Sequence, residues 1–503
     1  MKKLSFIALM SIATLAQTLP MRAQGSLTPP GPPGPTMKSL DQIEPRAFIA
    51  SVPFIIANSG SYYLATNLTG TAGQNGITIQ ANNVTLDLNG FTLSGSANSG
   101  NGVVGVAGVN NVTIRNGTVR QWAASGVNLT NASNCRLVNL RAFDNRAVGL
   151  LAGTDCQIDG CLVEFSGDNG INTGPGCTVK NCSSSQNTGH GIAADAGCNV
   201  VDCTAQANQK VGIQVLTGSR VSGCVVKESG GHGISASLDA RISGCVARGN
   251  TGRGISVGAG SVITDCLAAQ NGAGGIYADA SGNVIECTAE GNQQDGIHCE
   301  TGGRLKGCVA RQNSGHGIST ASRVAVADCT AQNNQGNGVS GANGANIRGT
   351  LCAANGQAGI VAGGGSHVTD CQAEGNSQTG ISVSDGSTVN HCSAQGNGGD
   401  GILVSTECKV TGNNTHGNTS ILFSAGIRAI GPKNFIRDNT ITSNDRGISL
   451  DGDRNVVIQN VLGNNSLSYF IANGTAQLRG QAISAPNDPI GPTNPWANFE
   501  LSP

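Results

Sequence analysis

Residues 245–265 read CVARGNTGRGISVGAGSVITD, and residues 266–286 read CLAAQNGAGGIYADASGNVIE. Each stretch opens on Cys, places Asn five residues later (Asn250, Asn271), and places Gly-Ile nine residues later (Gly254-Ile255, Gly275-Ile276). The cysteine recurs every 21 residues outward from here, at Cys224, Cys203, Cys182 and Cys161 on one side and at Cys287, Cys308 and Cys329 on the other. Thr350 holds the place once, and Cys371 and Cys392 resume it. The Gly-aliphatic step runs without a gap from Gly149-Leu150 to Gly401-Ile402. It continues less regularly at Gly76-Ile77, Gly102-Val103, Gly126-Val127, Gly426-Ile427 and Gly447-Ile448. A fixed period of this length marks stacked repeats, and the steps number about 18.

Within a coil, short alternating runs such as Cys203-Thr204-Ala205 and Ile213-Gln214-Val215 are separated by Gly, Asn, Asp and Ser. That is a strand-and-turn pattern. No sustained helical period appears outside the N-terminal apolar stretch and Ser39 to Ala50, so coil must stack directly on coil. The column Asn187, Asn208, Asn250, Asn271 through Asn418 supports in-register stacking, because identical amides one rung apart can hydrogen-bond along the stack. The residue before the cysteine column is Gly, Asn or Asp in most coils (Asn139, which precedes Leu140, then Gly160, Asn181, Asp202, Gly223, Gly244, Asp265). These types share a tolerance of positive φ, so a left-handed turn is expected there.

The coil pattern C/N-x-A-x-x-N-x-x-x-G-I resembles the right-handed β-helix repeat family, which shares its fold with pectate lyases and other polysaccharide-acting proteins. Asn413, Asn439 and Asn460, which replace cysteine in the last coils, and the openings Val84 to Gly90 and Val112 to Gly117 carry the same likeness. The resemblance implies an all-β chain: a single right-handed parallel β-helix solenoid of about 18 coils, mostly 21 residues each. It is nearly silent on activity, since one fold hosts many functions.

The expected organisation is a signal peptide over 1–23, a Pro/Gly-rich linker over 24–38, an N-terminal cap over 39–75, the β-helix over 76–465, and a C-terminal cap and tail over 466–503. The signal reading rests on Met1-Lys2-Lys3 followed by the apolar Leu4 to Leu15, too short to span a bilayer. Export to the extracellular space, cell surface or periplasm follows as an expectation. The cap is placed on Ser39 to Ala50 and Phe54 to Leu68, and the tail is expected to pack through Trp496 and Phe499. With net charge −1, 12% charged residues and no basic cluster, nucleic acid is not an expected partner. A monomer with no transmembrane segment is expected, with extracellular polysaccharide or cell-surface components as candidate partners.

Eighteen cysteines in an exported chain would ordinarily read as a disulfide framework. Yet in-register neighbours lie about 4.8 Å apart with parallel Cβ vectors, whereas a disulfide needs Cβ atoms about 3.5–4.5 Å apart and turned together. The column therefore reads as reduced, buried side chains. The pairs Cys156 with Cys161, Cys177 with Cys182 and Cys198 with Cys203 stay open. No CxxC occurs and no His joins the column, which argues against zinc; copper(I) on stacked thiolates is chemically allowed. No metal or cofactor is expected.

Three GHGI matches, at 189–192, 231–234 and 315–318, are similar to the Gly-His-Gly of polygalacturonases. Each falls on the repeat's own Gly-Ile step, where other coils carry Asn169, Val211, Arg253, Asp295 or Asp400, so they read as a variable outward position. The partner Asn-Thr-Asp and Asp-Asp motifs are absent. The G-x-S-x-G at 254–258 lies in a strand repeat rather than a strand-to-helix turn and has no catalytic meaning there. The most mixed polar patch comprises Arg253, Asp295, His298 and His316, which are the catalytic candidates should the chain be an enzyme.

Three functions follow from these residues. A non-catalytic surface or matrix role with an interaction face leads. The alternatives are a polysaccharide lyase or glycoside hydrolase, for which no convergent acid–base set is visible, and a non-catalytic carbohydrate-binding protein, for which exposed aromatics are few.

Overall fold

The computed structural model describes residues 44–419, 423–472, 476–483 and 494–501. The signal-peptide and linker readings, and the cap before Glu44, lie outside them. The chain divides into Met1–Arg46 and Ala47–Pro503. The second unit is built of strands, with no helix among the described residues, and accordingly no helix there is long and apolar enough to cross a membrane.

Each coil contributes three short strands, because Gly, Asn and Asp interrupt the chain every few residues. One coil supplies Val262–Thr264 to the first face, Leu267–Ala269 to the second and Ile276–Ala278 to the third. From Leu150 to Gln395 nearly every strand pairs in parallel with the strand 21 residues on, as Val262 with Asn283, Leu267 with Thr288 and Ile276 with Ile297; towards both ends longer offsets occur, as Val84 with Val112 and Lys409 with Phe435. The result is the expected right-handed parallel solenoid. Among the described residues the third face has twenty rungs. The two beyond the Gly-aliphatic count are Phe54–Ile56, paired with Ile77–Ile79, and Leu467–Ile471, paired with Arg446–Leu450.

Period-two alternation decides which side chains enter the core. The middle residue points inward on the first two faces (Ile263, Ala268), and the outer two do so on the third (Ile276, Ala278); all are buried. No coil encloses this core by itself, so stability comes from neighbour stacking. The longer N-terminal coils admit one large filler, Trp122. Its fully buried indole N–H donates to the Leu93 carbonyl at 3.1 Å.

The asparagine column is buried and broken only by Ser166 and Ser229 between Asn145 and Asn418. Asn292 illustrates it: its Oδ1 accepts the Asn271 N–H at 3.0 Å and the Asn271 amide at 2.9 Å, while its Nδ2 donates to the Ala268 carbonyl at 3.1 Å and to Asn313 Oδ1 at 3.0 Å. The Gly-Ile step belongs to the same device. A Cβ on Gly275 would meet the Gly296 carbonyl oxygen at 2.5 Å and Asn292 Nδ2 at 2.7 Å.

All eighteen cysteines are free and buried, including the three pairs left open by spacing. The 21-residue column that starts at Cys161 repeats the asparagine geometry in weaker form. The Cys203 N–H points to Cys224 Sγ at 3.4 Å, and Cys224 Sγ donates to the Val200 carbonyl at 3.6 Å. Where the column turns to asparagine, the Cys392 N–H meets Asn413 Oδ1 at 2.8 Å and Asn413 Nδ2 reaches the Val389 carbonyl at 3.0 Å. The larger sulfur accounts for the longer contacts. Burial pushes the Cys299 thiol up to about 12 and holds Cys352 well above the ordinary thiol range. Titration of the native protein with a thiol reagent is therefore expected to register few groups, and denaturation to expose all eighteen; native oxidation of most of them would contradict the stacked geometry.

The turn before the cysteine column is left-handed as expected, with φ of 51–54° at Asp202, Asp265, Glu286, Asp328 and Asp370. Backbone conformation thus accounts for that line of acids. At the C-terminal end Asn498–Leu501 pairs with Val461–Gly463, and Asn498 Oδ1 accepts the Asn460 N–H at 3.0 Å. Phe499 joins this strand, but Trp496 is 55% exposed and does not anchor it.

Candidate functional site

The third face presents one side chain per rung to the outside. Ser256, Tyr277, His298 and Ser319 occupy that position in four successive coils. The Tyr277 and His298 rings stack with centroids 5.3 Å apart and planes 2° from parallel. From the coil before, the Arg253 guanidinium lies 3.9 Å above the Tyr277 ring. The tyrosine is thus covered on both faces, by a cation on one side and an imidazole on the other.

Glu300 closes the cluster. Its Oε1 accepts the Tyr277 hydroxyl at 3.3 Å and lies 3.2 Å from His298 Nε2, while His298 Nδ1 sits 3.3 Å from Ser319 Oγ. Partial burial, together with the charges of Glu300 and Asp279, raises the Tyr277 hydroxyl above its ordinary value. Arg253, Tyr277, Asp295, His298 and Glu300 border one shallow depression of about 250 Å³ over Gly274. Of the four residues proposed from sequence, three meet there. His316 does not line it. Tyr277 and Glu300 are the additions, and the repeat register held the signal for Tyr277, which stands two residues after its Gly just as His298 does.

Asp295 and His316 have a different task. Asp295 Oδ1 accepts the His316 N–H at 2.8 Å, and His316 Nδ1 accepts the Asn337 N–H at 2.9 Å. The same column repeats the device at Asn169, which accepts the His190 N–H at 2.8 Å, and at His232, which accepts the Arg253 N–H at 2.9 Å. Where Asn, Asp or His stands at the GHGI position it accepts an N–H and links two coils, while Val211, Arg253 and Gly274 show that the position still varies. Asn, Asp and neutral His share the one feature that link needs, a short-armed acceptor.

This carries a pH dependence. Burial lowers His190 and His232 from the ordinary 6.5, assisted by Lys210 and Arg253 respectively. A depressed base leaves the folded state holding fewer protons than the unfolded state once pH drops below about 6.5. Stability should be full above that value and fall progressively below it. Urea midpoints at pH 7.5 and 5.5 check this: the double variant His190→Asn/His232→Asn is expected to reduce the drop.

A second acid cluster lies on the same face near the C-terminal end. Arg428 bonds Asp451 at 2.7 and 2.8 Å and approaches Asp400 at 3.9 Å, and Asp400 also accepts the Ala425 N–H at 2.7 Å. Burial raises the Asp400 carboxyl above its ordinary value. Both carboxylates are already engaged. Among the described residues no three His, Cys, Asp or Glu side chains assemble as a metal site.

No protein of curated function matches the chain. Among solved structures it is similar to the Dettilon tailspike protein gp208 at 12% identity and TM-score 0.36, covering 53% of this chain and 59% of that one. It is also similar to pectate lyase Pel9A at 17% identity and TM-score 0.27, over 48% and 70% of the two chains. The Azotobacter vinelandii mannuronan C-5 epimerase AlgE4 A-module shows 13% identity and TM-score 0.28, over 84% and 91%. A family model described as right handed beta helix region matches residues 54–224, 195–286, 220–351, 275–421 and 358–484, which together take in nearly the whole solenoid. With its three parallel faces and its asparagine ladder, the chain belongs to the right-handed β-helix family.

Proposed function

We propose that this is an exported, non-catalytic interaction protein that presents its solenoid faces to polysaccharide or another cell-surface component. The observation that carries the reading is the saturation of the best polar cluster: Glu300 takes both the Tyr277 hydroxyl and the His298 Nε2 contact. β-Elimination needs a base free to reach an acidic C–H beside a cation that stabilises the developing charge. Here the acid–base groups are spent on one another. Hydrolysis needs two carboxyls facing one glycosidic bond, and Asp400 and Asp451 are held by Arg428 instead. The Tyr277 ring, covered on both faces, offers no platform on which a sugar can stack.

One observation favours a lyase as the second reading: Arg253 has no carboxylate partner among the described residues and borders the depression beside His298. Incubating the full-length protein with polygalacturonate and alginate, while following unsaturated and reducing-end products, separates the two. No turnover is expected. Turnover abolished by Arg253→Ala or His298→Ala, with folding intact, would establish the lyase reading.

A further inference from the structure

We infer that the first face carries a docking slot for an acidic polysaccharide, formed by Arg304, Lys306, Asn346 and Arg348 around a floor of Ala325 and Ala327. The inference rests on the interaction role proposed above and names its surface and its partner.

Register builds the slot. Arg304 pairs with Ala325 and Ala325 with Asn346, while Lys306 pairs with Ala327 and Ala327 with Arg348. All are outward positions, since only Leu305, Val326 and Ile347 enter the core. The two alanines therefore sink one rung between two rungs of long polar side chains. Strands lie about 4.8 Å apart, so the flanking rungs are about 9.6 Å apart. The hollow measures about 400 Å³ and is bordered by one carboxylate, Asp328.

Charge is segregated on this face. From Gln157–Asp159 to Lys409–Thr411 its outward positions hold a single carboxylate, Asp159, and that one pairs with Lys180 at 3.1 Å. The same stretch carries Arg220, Arg241 and Lys409 besides the three cations of the slot, in a chain whose net charge is −1. Arg304, Lys306 and Arg348 are exposed, and none forms an ion pair among the described residues. Three unpaired cations around a recess favour an anion, and guanidinium groups favour planar carboxylate or sulfate oxygens. The recess is an open trough with cations on both banks, a shape for a strand rather than an enclosed small ion. The Asn346 amide adds a donor and an acceptor for hydroxyl groups. No Phe, Tyr or Trp stands at an outward position of this face between Gln157 and Thr411, and His367 is its one ring, so a run of base-stacking platforms like that of single-stranded nucleic acid binders is missing.

The test uses full-length protein with immobilised polygalacturonate, heparin and neutral dextran. Binding to the acidic polymers, weakening as salt rises, is expected, with none to dextran. Arg304→Ala/Lys306→Ala/Arg348→Ala should weaken it roughly tenfold, the effect of removing several charge-assisted contacts, with unchanged thermal unfolding. Ala327→Glu, which sets a carboxylate on the floor, should do the same. Lys210→Ala/Lys227→Ala/Arg248→Ala, away from this face, should leave binding intact. Heparin binding without polygalacturonate binding assigns the slot to sulfate esters, and the reverse to uronates. Equal binding to dextran, absence of acidic-polymer binding, or equal loss in both triple variants would overturn the slot. Consumption of the bound polymer would overturn the non-catalytic role instead.

Discussion

Replacing Asn292 with alanine is expected to lower stability by roughly 2–3 kcal/mol, the cost of leaving a buried polar group without its partner plus the small void. The Asn292 side chain makes four hydrogen bonds to the two neighbouring coils, and its loss leaves the Asn271 N–H facing alanine. Urea unfolding checks the value, and a change below about 0.5 kcal/mol would mean that the ladder contributes nothing net. Serine is not a substitute. Ser166 and Ser229 interrupt the column, and both hydroxyls are buried without a partner. In those two coils the second face carries Val163 and Val226 inward, where its neighbours carry Ala142, Ala205 and Ala247. Valine with serine fills the space that a small residue with asparagine fills in the other coils from Asn145 to Asn418. Ser229→Asn alone should therefore crowd Val226, whereas Val226→Ala/Ser229→Asn should restore the ladder.

The second large effect comes from two adjacent glycines. Gly275→Ala should cost about 3 kcal/mol or more, because the new methyl would meet the Gly296 carbonyl at 2.5 Å, Asn292 Nδ2 at 2.7 Å and Ala289 at 2.9 Å. Neither the carbonyl nor the amide can move without breaking the ladder. Gly274→Ala, one residue earlier, would meet only the Asp295 carbonyl at 3.1 Å, and its cost should stay within about 1 kcal/mol. Thermal unfolding of the two variants side by side checks this contrast. Equal destabilisation would show that helix-wide rigidity, rather than the Gly–Asn contact, selects glycine at this step.

The fold was legible because a solenoid writes each contact once per coil. A column of Cys, a column of Asn and a Gly-Ile step at constant spacing determine which residues stack, and stacking determines the rest. Aspartate and asparagine before the cysteine disclosed one left-handed turn. The second left-handed column left a fainter trace, because beside Asp144, Gly249, Gly291, Asn333 and Gly375 it includes Phe165, Gln186, Ala207 and Glu228, at φ of 52–58°. Those residue types do not prefer that conformation, and the fixed asparagine next to each of Gln186 and Ala207 imposes it. The roles of the polar surface residues were likewise undecided by sequence. Arg253 and His298 fell in one neighbourhood by register alone, but that Glu300 would quench Tyr277 and His298, and that Asp295 and His316 would hold backbone N–H groups, depends on side-chain direction within a rung. Sequence by itself determined the period, the strand faces and the in-register columns, since backbone periodicity acts on every coil alike. Only the tertiary structure decided which polar groups are spent on one another and which, like Arg304, Lys306 and Arg348, are left facing solvent, because that choice turns on distances of a few ångströms between neighbouring rungs.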